Sequence, residues 1–261
     1  MIDIGGFHTT ASKELPKDLK EFMDNATEGV VYFNLGSYVQ PSQMTEGISK
    51  AILGALGKIK RNVLWKWDED SLPEKPENVI ISKWFPQWDI LAHPNVKLFI
   101  THGGLMSVTE TIYQGVPILA LPIFEDQKMN AAKAEMDGYG LTLYFSELSE
   151  DKLYQALNTL LNNPQYRENA KRRSKLIRDR PMNPLALAIY WTEFVIRHKG
   201  APHLRVAGVD LPWYRYLLLD VILFVILLIT SLIITLVFVY YLLKGLLVAN
   251  PISALDFVDA K

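Results

Sequence analysis

The sequence predicts an α/β fold, a parallel sheet with helices on both faces, followed by one transmembrane helix. Three observations carry this. Short apolar, β-branched runs alternate with helical stretches over residues 30–145, the pattern of strands buried on both faces. Turn residues close each run, most plainly the glycine pair after Thr101. From Val221 to Leu243 there is no charged side chain.

The elements follow in order. Val30–Asn34 is an apolar run ending near Gly36-Ser37, and 42–58 reads as helix. Asn62–Trp67, Val79–Trp84 and Val96–Thr101 read as strands, the last running straight into His102-Gly103-Gly104. A helix is expected over 105–114, a strand over Pro117–Leu121, a helix over Asp126–Asp137 and a strand over Leu141–Phe145. Three helices come next. Ser149 can cap the first, whose stripe is Leu153, Leu157 and Leu160; Asn163-Pro164 and Asn183-Pro184 open the others. The third ends in Arg197, His198, Lys199, Gly200 and Pro202, a full set of stop signals.

The apolar stretch is about 23 residues, or roughly 35 Å of helix against a hydrocarbon core of about 30 Å. Trp213, Tyr214, Tyr216, Tyr240 and Tyr241 flank it as interfacial aromatics. A buried core helix is the alternative, but a domain this small cannot cover it on all sides. The expected layout is a linker remnant (1–28), the α/β domain (29–210), the span (217–243) and a short tail (244–261). The N-terminus lacks the basic start and apolar core of a signal peptide and reads as the middle of a longer protein.

Composition excludes several classes. There are no cysteines, so disulfides, thiolate metal sites and cysteine nucleophiles are out. A net charge of −1 gives no sign of a nucleic-acid partner. The basic helix with Lys171, Arg172, Arg173, Lys175, Arg178 and Arg180 is interrupted by Glu168 and Asp179, so it reads as a solvated face.

The chemistry concentrates at strand ends. A strand, two glycines and a helix start make an anion site, because the helix N-terminus offers unpaired N–H groups and the glycines admit close approach. Neither the dinucleotide fingerprint nor a Walker loop is present. Gly36-Ser37, Trp84 with Gln87, Thr101-His102 and Asp126-Gln127 fall at or just past expected strand ends, where open parallel sheets bind ligands. Each has a plainer alternative. Trp84 can be core, Gln87 and Asp126 can be caps, and His102 can be a turn histidine bonded to backbone. Ser107 and Glu110 form the S-x-x-E of a capping box.

Taken together, Trp84-Phe-Pro-Gln87-Trp-Asp-Ile-Leu-Ala-His-Pro, Phe99-Ile-Thr-His-Gly-Gly-Leu-Met-Ser-Val-Thr-Glu110, Gly115-Val-Pro and Pro122-Ile-Phe-Glu-Asp126-Gln127 resemble the donor-binding signature of UDP-glycosyltransferases. The wording is close to the membrane-bound UDP-glucuronosyltransferases and insect-like. The similarity continues through Asp179-Arg-Pro and Trp191–Arg205 into the apolar stretch. It implies the C-terminal, Rossmann-like domain of a GT-B fold, and inverting transfer of a hexosyl or glucuronosyl group from UDP-glucose or UDP-glucuronate to a small lipophilic acceptor. It also implies that Trp84 stacks on uracil, Gln87 bonds uracil or ribose, and Glu110 accepts from ribose hydroxyls. His102, with Gly103, Gly104 and Ser37, would hold the diphosphate, and Asp126 and Gln127 the sugar. No metal or other cofactor is expected. Met106 stands where relatives usually carry asparagine, so that phosphate contact is lost or passes to Ser107.

The general base of the family lies in its N-terminal domain. None of the histidines at 8, 93, 102, 198 and 203 matches that context, so this chain alone is expected to bind donor without transferring it. The resemblance implies a lumenal domain in the endoplasmic reticulum, which the Asn25-Ala-Thr27 sequon suits; Arg205 and Arg215 against Lys244 and Lys261 do not decide orientation. The helix from 184 to 198 is expected to leave apolar surface that calls for lipid, detergent or a homo- or hetero-oligomeric partner. The alternative function is a non-catalytic, membrane-anchored nucleotide-sugar-binding subunit that modulates longer relatives. A UDP-sugar epimerase shares the architecture, but the apolar span speaks against it.

Overall fold

The computed structural model describes residues 2–249, with side chains to 246. Residues up to Thr192 form one compact unit, and those from Glu193 on form a second. The first unit contains helix α1 (Lys17–Asp24), β1 (Val30–Asn34), α2 (Glu46–Lys58), β2 (Asn62–Lys66), β3 (Val79–Ser82), α3 (Gln87–Ala92), β4 (Val96–Thr101), α4 (Leu105–Gln114), β5 (Ile118–Ala120), α5 (Gln127–Met136), β6 (Gly140–Thr142), α6 (Glu150–Asn162) and α7 (Pro164–Arg178). Helix α8 (Pro184–Arg197) begins in it.

Six parallel strands lie in the order β3-β2-β1-β4-β5-β6. This is the doubly wound order, with the topological switch point between β1 and β4. Val30 to Phe33 of β1 are fully buried, as the two-sided covering of a parallel sheet requires. One face carries Val31, Phe33, Val63, Trp65 and Leu98 against α2 and α6. The other carries Tyr32, Leu64, Phe99 and Ile118 against α1, α3, α4 and α5. Aromatic pairs lock adjacent strands: Phe33 stacks on Trp65 at 4.7 Å, and Tyr32 on Phe99 at 5.0 Å.

Several boundaries differ from expectation. The stretch read as linker holds α1, and Leu15, Met23 and Ala26 are buried in the core. An amphipathic seam of Leu15, Leu19, Phe22 and Met23 drives that packing. Strand β3 stops at Ser82, leaving Trp84 in a loop, and β6 stops at Thr142. The basic face of α7 is not only solvated. Arg178 Nε donates to the Tyr113 carbonyl at 2.9 Å, and Arg173 pairs with Asp137 at 3.0 Å. These bonds fix α7 against α4 and against the end of α5. Ser149 caps α6 and Asn163 caps α7 as their types predict.

The second unit contains α9 (Trp213–Tyr216) and α10 (Leu219–Ala249). Leu219–Leu246 is long and apolar enough to cross a membrane, and none of it is buried against protein. Among the described residues nothing covers it as a core helix would be covered. Leu218, at φ 57°, breaks α9 from α10. Of the tail read as 244–261, residues 250–261, including Lys261, lie outside the described residues.

Candidate functional site

The C-terminal ends of β1 and β4 are adjacent, with Asn34 in register with Thr101. Around this switch point the sheet order gathers the predicted residues into two neighbouring clefts that meet at Ser37. The first, about 370 Å³, is lined by Gly36, Ser37, Lys66, Trp84, Gln87, Ser107 and Glu110 among others. The second, about 330 Å³, holds Ser37, His102, Gly104, Asp126 and Gln127. A larger hollow of about 570 Å³ lies beside the second, sharing Val39, but contains none of the predicted residues.

The first cleft is built on a polar chain. Asn34 Nδ2 donates to Gln87 Oε1 at 2.7 Å, while Asn34 Oδ1 accepts from the Gly36 amide at 2.8 Å. Gln87 Nε2 donates to Glu110 Oε2 at 2.7 Å and to Ser107 Oγ at 3.2 Å. Gln87 is therefore pinned from both sides and is not a cap. Glu110 is mostly buried, and burial pushes its carboxyl above the ordinary value against the pull of Gln87 and His8. Such a carboxylate gains from hydroxyl donors that replace lost water. Ser107 and Glu110 are not a capping box. Helix α4 begins at Leu105 with Gly104 in the cap position, so Ser107 lies inside its first turn. Trp84 is 73 % exposed, so it is not core. Lys66 Nζ stands 5.7 Å from its ring centroid and also donates to the Gly36 carbonyl at 2.8 Å.

The second cleft is built on glycine. His102 has a buried Nδ1 with no hydrogen-bond partner, which excludes a turn histidine satisfied by backbone and points the ring toward something not supplied by the protein. Burial lowers its pKa, with Asp126 opposing and Lys66 assisting, so the ring is neutral at neutral pH. Its seat exists because Gly36 and Gly104 lack side chains. A Cβ on Gly36 would meet His102 Cε1 at 2.8 Å, and one on Gly104 would meet Nε2 at 2.5 Å. Gly103, at φ 85°, turns the chain into α4. Its amide is used by Thr101 Oγ1 at 3.3 Å and its carbonyl by Asn130 Nδ2 at 2.9 Å. Donation to an anion thus falls to the amides of the first turn of α4, which have no intrahelical partners. Thr101 is fully buried and acts on that backbone.

Asp126 occupies the cap position of α5 but makes no capping bond; Oδ2 accepts from Asn130 Nδ2 at 2.7 Å. Gln127 spends Oε1 on the Ile123 and Phe124 amides, so only its amide nitrogen can address a ligand. All eleven predicted residues thus lie at one sheet edge, with Thr101, Gly103 and part of Gln127 shaping the site from behind. Sequence reasoning missed Asn34, Lys66 and Asn130. The first two sit at the ends of β1 and β2, where the strand-end rule that selected Ser37 and Trp84 would have found them.

A doubly wound parallel sheet with a two-part polar cleft at its switch point is the arrangement in which open α/β domains bind ligands. The comparisons with known proteins specify it. Residues 1–249 match the family described as UDP-glucoronosyl and UDP-glucosyl transferase, and the chain belongs to that family. It is 47 % identical to UDP-glycosyltransferase UGT5 of Dactylopius coccus over 94 % of this chain and 46 % of that one. It is 43 % identical to UDP-glucuronosyltransferase 1A9 of Mus musculus over 92 % of this chain and 45 % of that one. The chain thus spans about half the length of the curated relatives it matches. Among solved structures, UDP-glucose: anthocyanidin 3-O-glucosyltransferase in complex with UDP matches with a TM-score of 0.62 at 22 % identity, over 72 % of this chain and 45 % of that one. Glycosyltransferase VinC in complex with DTDP gives 0.58 at 21 %, over 70 % and 45 %. The fold is that of one half of a GT-B glycosyltransferase.

Proposed function

We propose that this chain is the donor-binding half of a UDP-glycosyltransferase, with UDP-sugar laid along the switch point. The observation that carries this is the pair of clefts joined at Ser37, one aromatic and carboxylate-bearing, the other carrying a neutral unpartnered histidine, a helix N-terminus and Asp126. Uracil lies on the Trp84 face away from Lys66, and the ribose hydroxyls donate to Glu110. The diphosphate meets His102, Ser37 and the first turn of α4, without a metal. Asp126 and the Gln127 amide nitrogen hold the sugar, which is glucose or glucuronate.

Transfer is an inverting displacement. A hydroxyl oxygen of a small lipophilic acceptor bonds to sugar C1 as the bond from C1 to the phosphate oxygen breaks, and UDP leaves. The acceptor proton passes to a base in the other half of the longer relatives. The donors around the diphosphate stabilise the charge that grows on UDP. His102 serves there as a hydrogen-bond donor. This chain by itself binds the donor and does not transfer the sugar.

The apolar helix α10 anchors the protein in the endoplasmic reticulum membrane with the first unit in the lumen. The exposed Asn25 suits that side, and a mobility shift with endoglycosidase on chain made in microsomes tests it. Exposed Leu185 and Ile189 on α8 favour association with a protein partner. The deciding experiment for the donor site is calorimetric titration of the detergent-solubilised chain with UDP, ADP and GDP, for wild type, Trp84→Ala and His102→Ala. Binding of UDP alone, weakened by both substitutions, is the expected result. Equal binding of all three nucleotides overturns the assignment.

A further inference from the structure

His8 has no role in the donor site as assigned, yet both its ring nitrogens are buried without a hydrogen-bond partner. Its Nε2 lies 3.7 Å from Glu110 Oε1, while Gln87 occupies the other carboxylate oxygen. Two groups that each lack a bond and face one another are poised to close on each other.

The N-terminal strap brings the ring there by construction. The Phe7 amide donates to the Ile4 carbonyl and the Thr9 amide to Gly6, turning the chain tightly. Gly6 is left-handed at φ 88°, and a Cβ on it would run into the Tyr113 ring at 2.5 Å. Tyr113 lies one turn along α4 from Glu110, so seating glycine on Tyr113 sets His8 against Glu110. Beyond His8 the strap crosses to α3. Trp88 Nε1 donates to the Thr10 carbonyl at 3.1 Å, and the Lys13 amide donates to Asp89 Oδ1 at 2.6 Å. The strap therefore ties together the two helices that bear Gln87 and Glu110.

We propose that His8 is a positioning residue for Glu110. Its Nε2 holds Oε1 so that the carboxylate faces the ribose hydroxyls, and it closes to hydrogen-bond distance when the nucleoside is bound. This rests on the assignment of Glu110 to the ribose. It makes the strap, which lines neither cleft, a determinant of ribose recognition.

The test titrates the full chain in detergent with UDP and with 2′,3′-dideoxy-UDP, which lacks the hydroxyls Glu110 would bind. Wild type is expected to prefer UDP. His8→Ala should lose about tenfold in UDP affinity, the worth of one charge-assisted hydrogen bond, with less than about a twofold change for the dideoxy nucleotide. His8→Gln, which restores an N–H donor, should recover the preference. Gly6→Ala, which displaces the strap through Tyr113, should lose it and carries the test if His8→Ala does not fold. A His8→Ala chain that weakens both nucleotides equally, or that keeps the wild-type ratio, overturns the role of His8. A wild-type chain that binds both nucleotides alike overturns the ribose assignment of Glu110, and the role of His8 with it.

Discussion

Gly36→Ala is the substitution whose consequences the structure spells out most fully. Gly36 sits at φ 86°, where an alanine costs about 1–2 kcal/mol in backbone strain. For a chain of this size that lowers the melting temperature by about 2–8 °C. The new methyl would also lie 2.8 Å from His102 Cε1 and 3.0 Å from Nε2, too close to survive, so the imidazole is forced out of its seat. If His102 contributes one hydrogen bond to the charged diphosphate, worth about 1.5–3 kcal/mol, UDP affinity falls by about 10- to 150-fold. The assay is calorimetry on Gly36→Ala, His102→Ala and the double variant. Because the first acts through the second, alanine at 102 makes room for the methyl, and the double variant should bind UDP no worse than His102→Ala alone. Gly115→Ala is the control. It carries the same kind of strain at φ 64° beyond the end of α4, and it should lower stability without touching UDP affinity. A Gly36→Ala chain that binds UDP like wild type, or losses that add in full, would refute the argument.

Further outcomes follow from single side chains. Trp84→Ala should leave thermal stability unchanged, because the ring is already exposed. It should cost about 1–3 kcal/mol of UDP binding, the worth of one base stacked on an aromatic ring. Glu110→Gln should change stability in a pH-dependent way. The folded carboxyl is raised above 4.5, so the folded state holds its proton longer than the unfolded state, and the wild type loses stability as pH rises from 4.5 through the folded value. Thermal melts should therefore show the variant gaining on wild type at pH 7 and the gain vanishing below pH 4.5; a constant difference across that range would exclude the burial argument. Ending the chain before Trp213 should abolish carbonate-resistant membrane association, as assayed by flotation, since α10 carries no charge from Val221 to Leu243 and its apolar window is not buried against protein.

The sheet was largely legible because its strands are short apolar runs that parallel packing buries on both faces. Val30–Asn34 and Val96–Thr101 were bounded to the residue. Where the sequence misled, local signals competed. Ser107 and Glu110 satisfy a capping pattern, but Gly104 is extended at ψ 141° and starts the helix earlier, turning both side chains into the cleft. Helix α1 was passed over because it is only 8 residues long and follows Pro16 in a polar stretch; its seam shows only once Leu15 and Met23 have a core to enter. The contacts of Asn34, Lys66 and His8 were out of reach for a different reason. Each faces a partner remote in sequence, and nothing local specifies Asn34 beside Gln87 or Lys66 above Trp84. The strand order alone does.

That order also bears on how the molecule comes together. Strands β1, β2 and β3 form one contiguous half and β4, β5 and β6 the other, and the seam between them pairs Val30 with Val96 and Asn34 with Thr101. Each half can form over short loops, whereas the seam must close a long one, which is entropically dearer and slower. Both clefts straddle this seam. A nucleotide bound there would touch both halves, so the ligand acts on unfolding as a staple between them. Without it, the two halves are held together by the sheet and its helices alone.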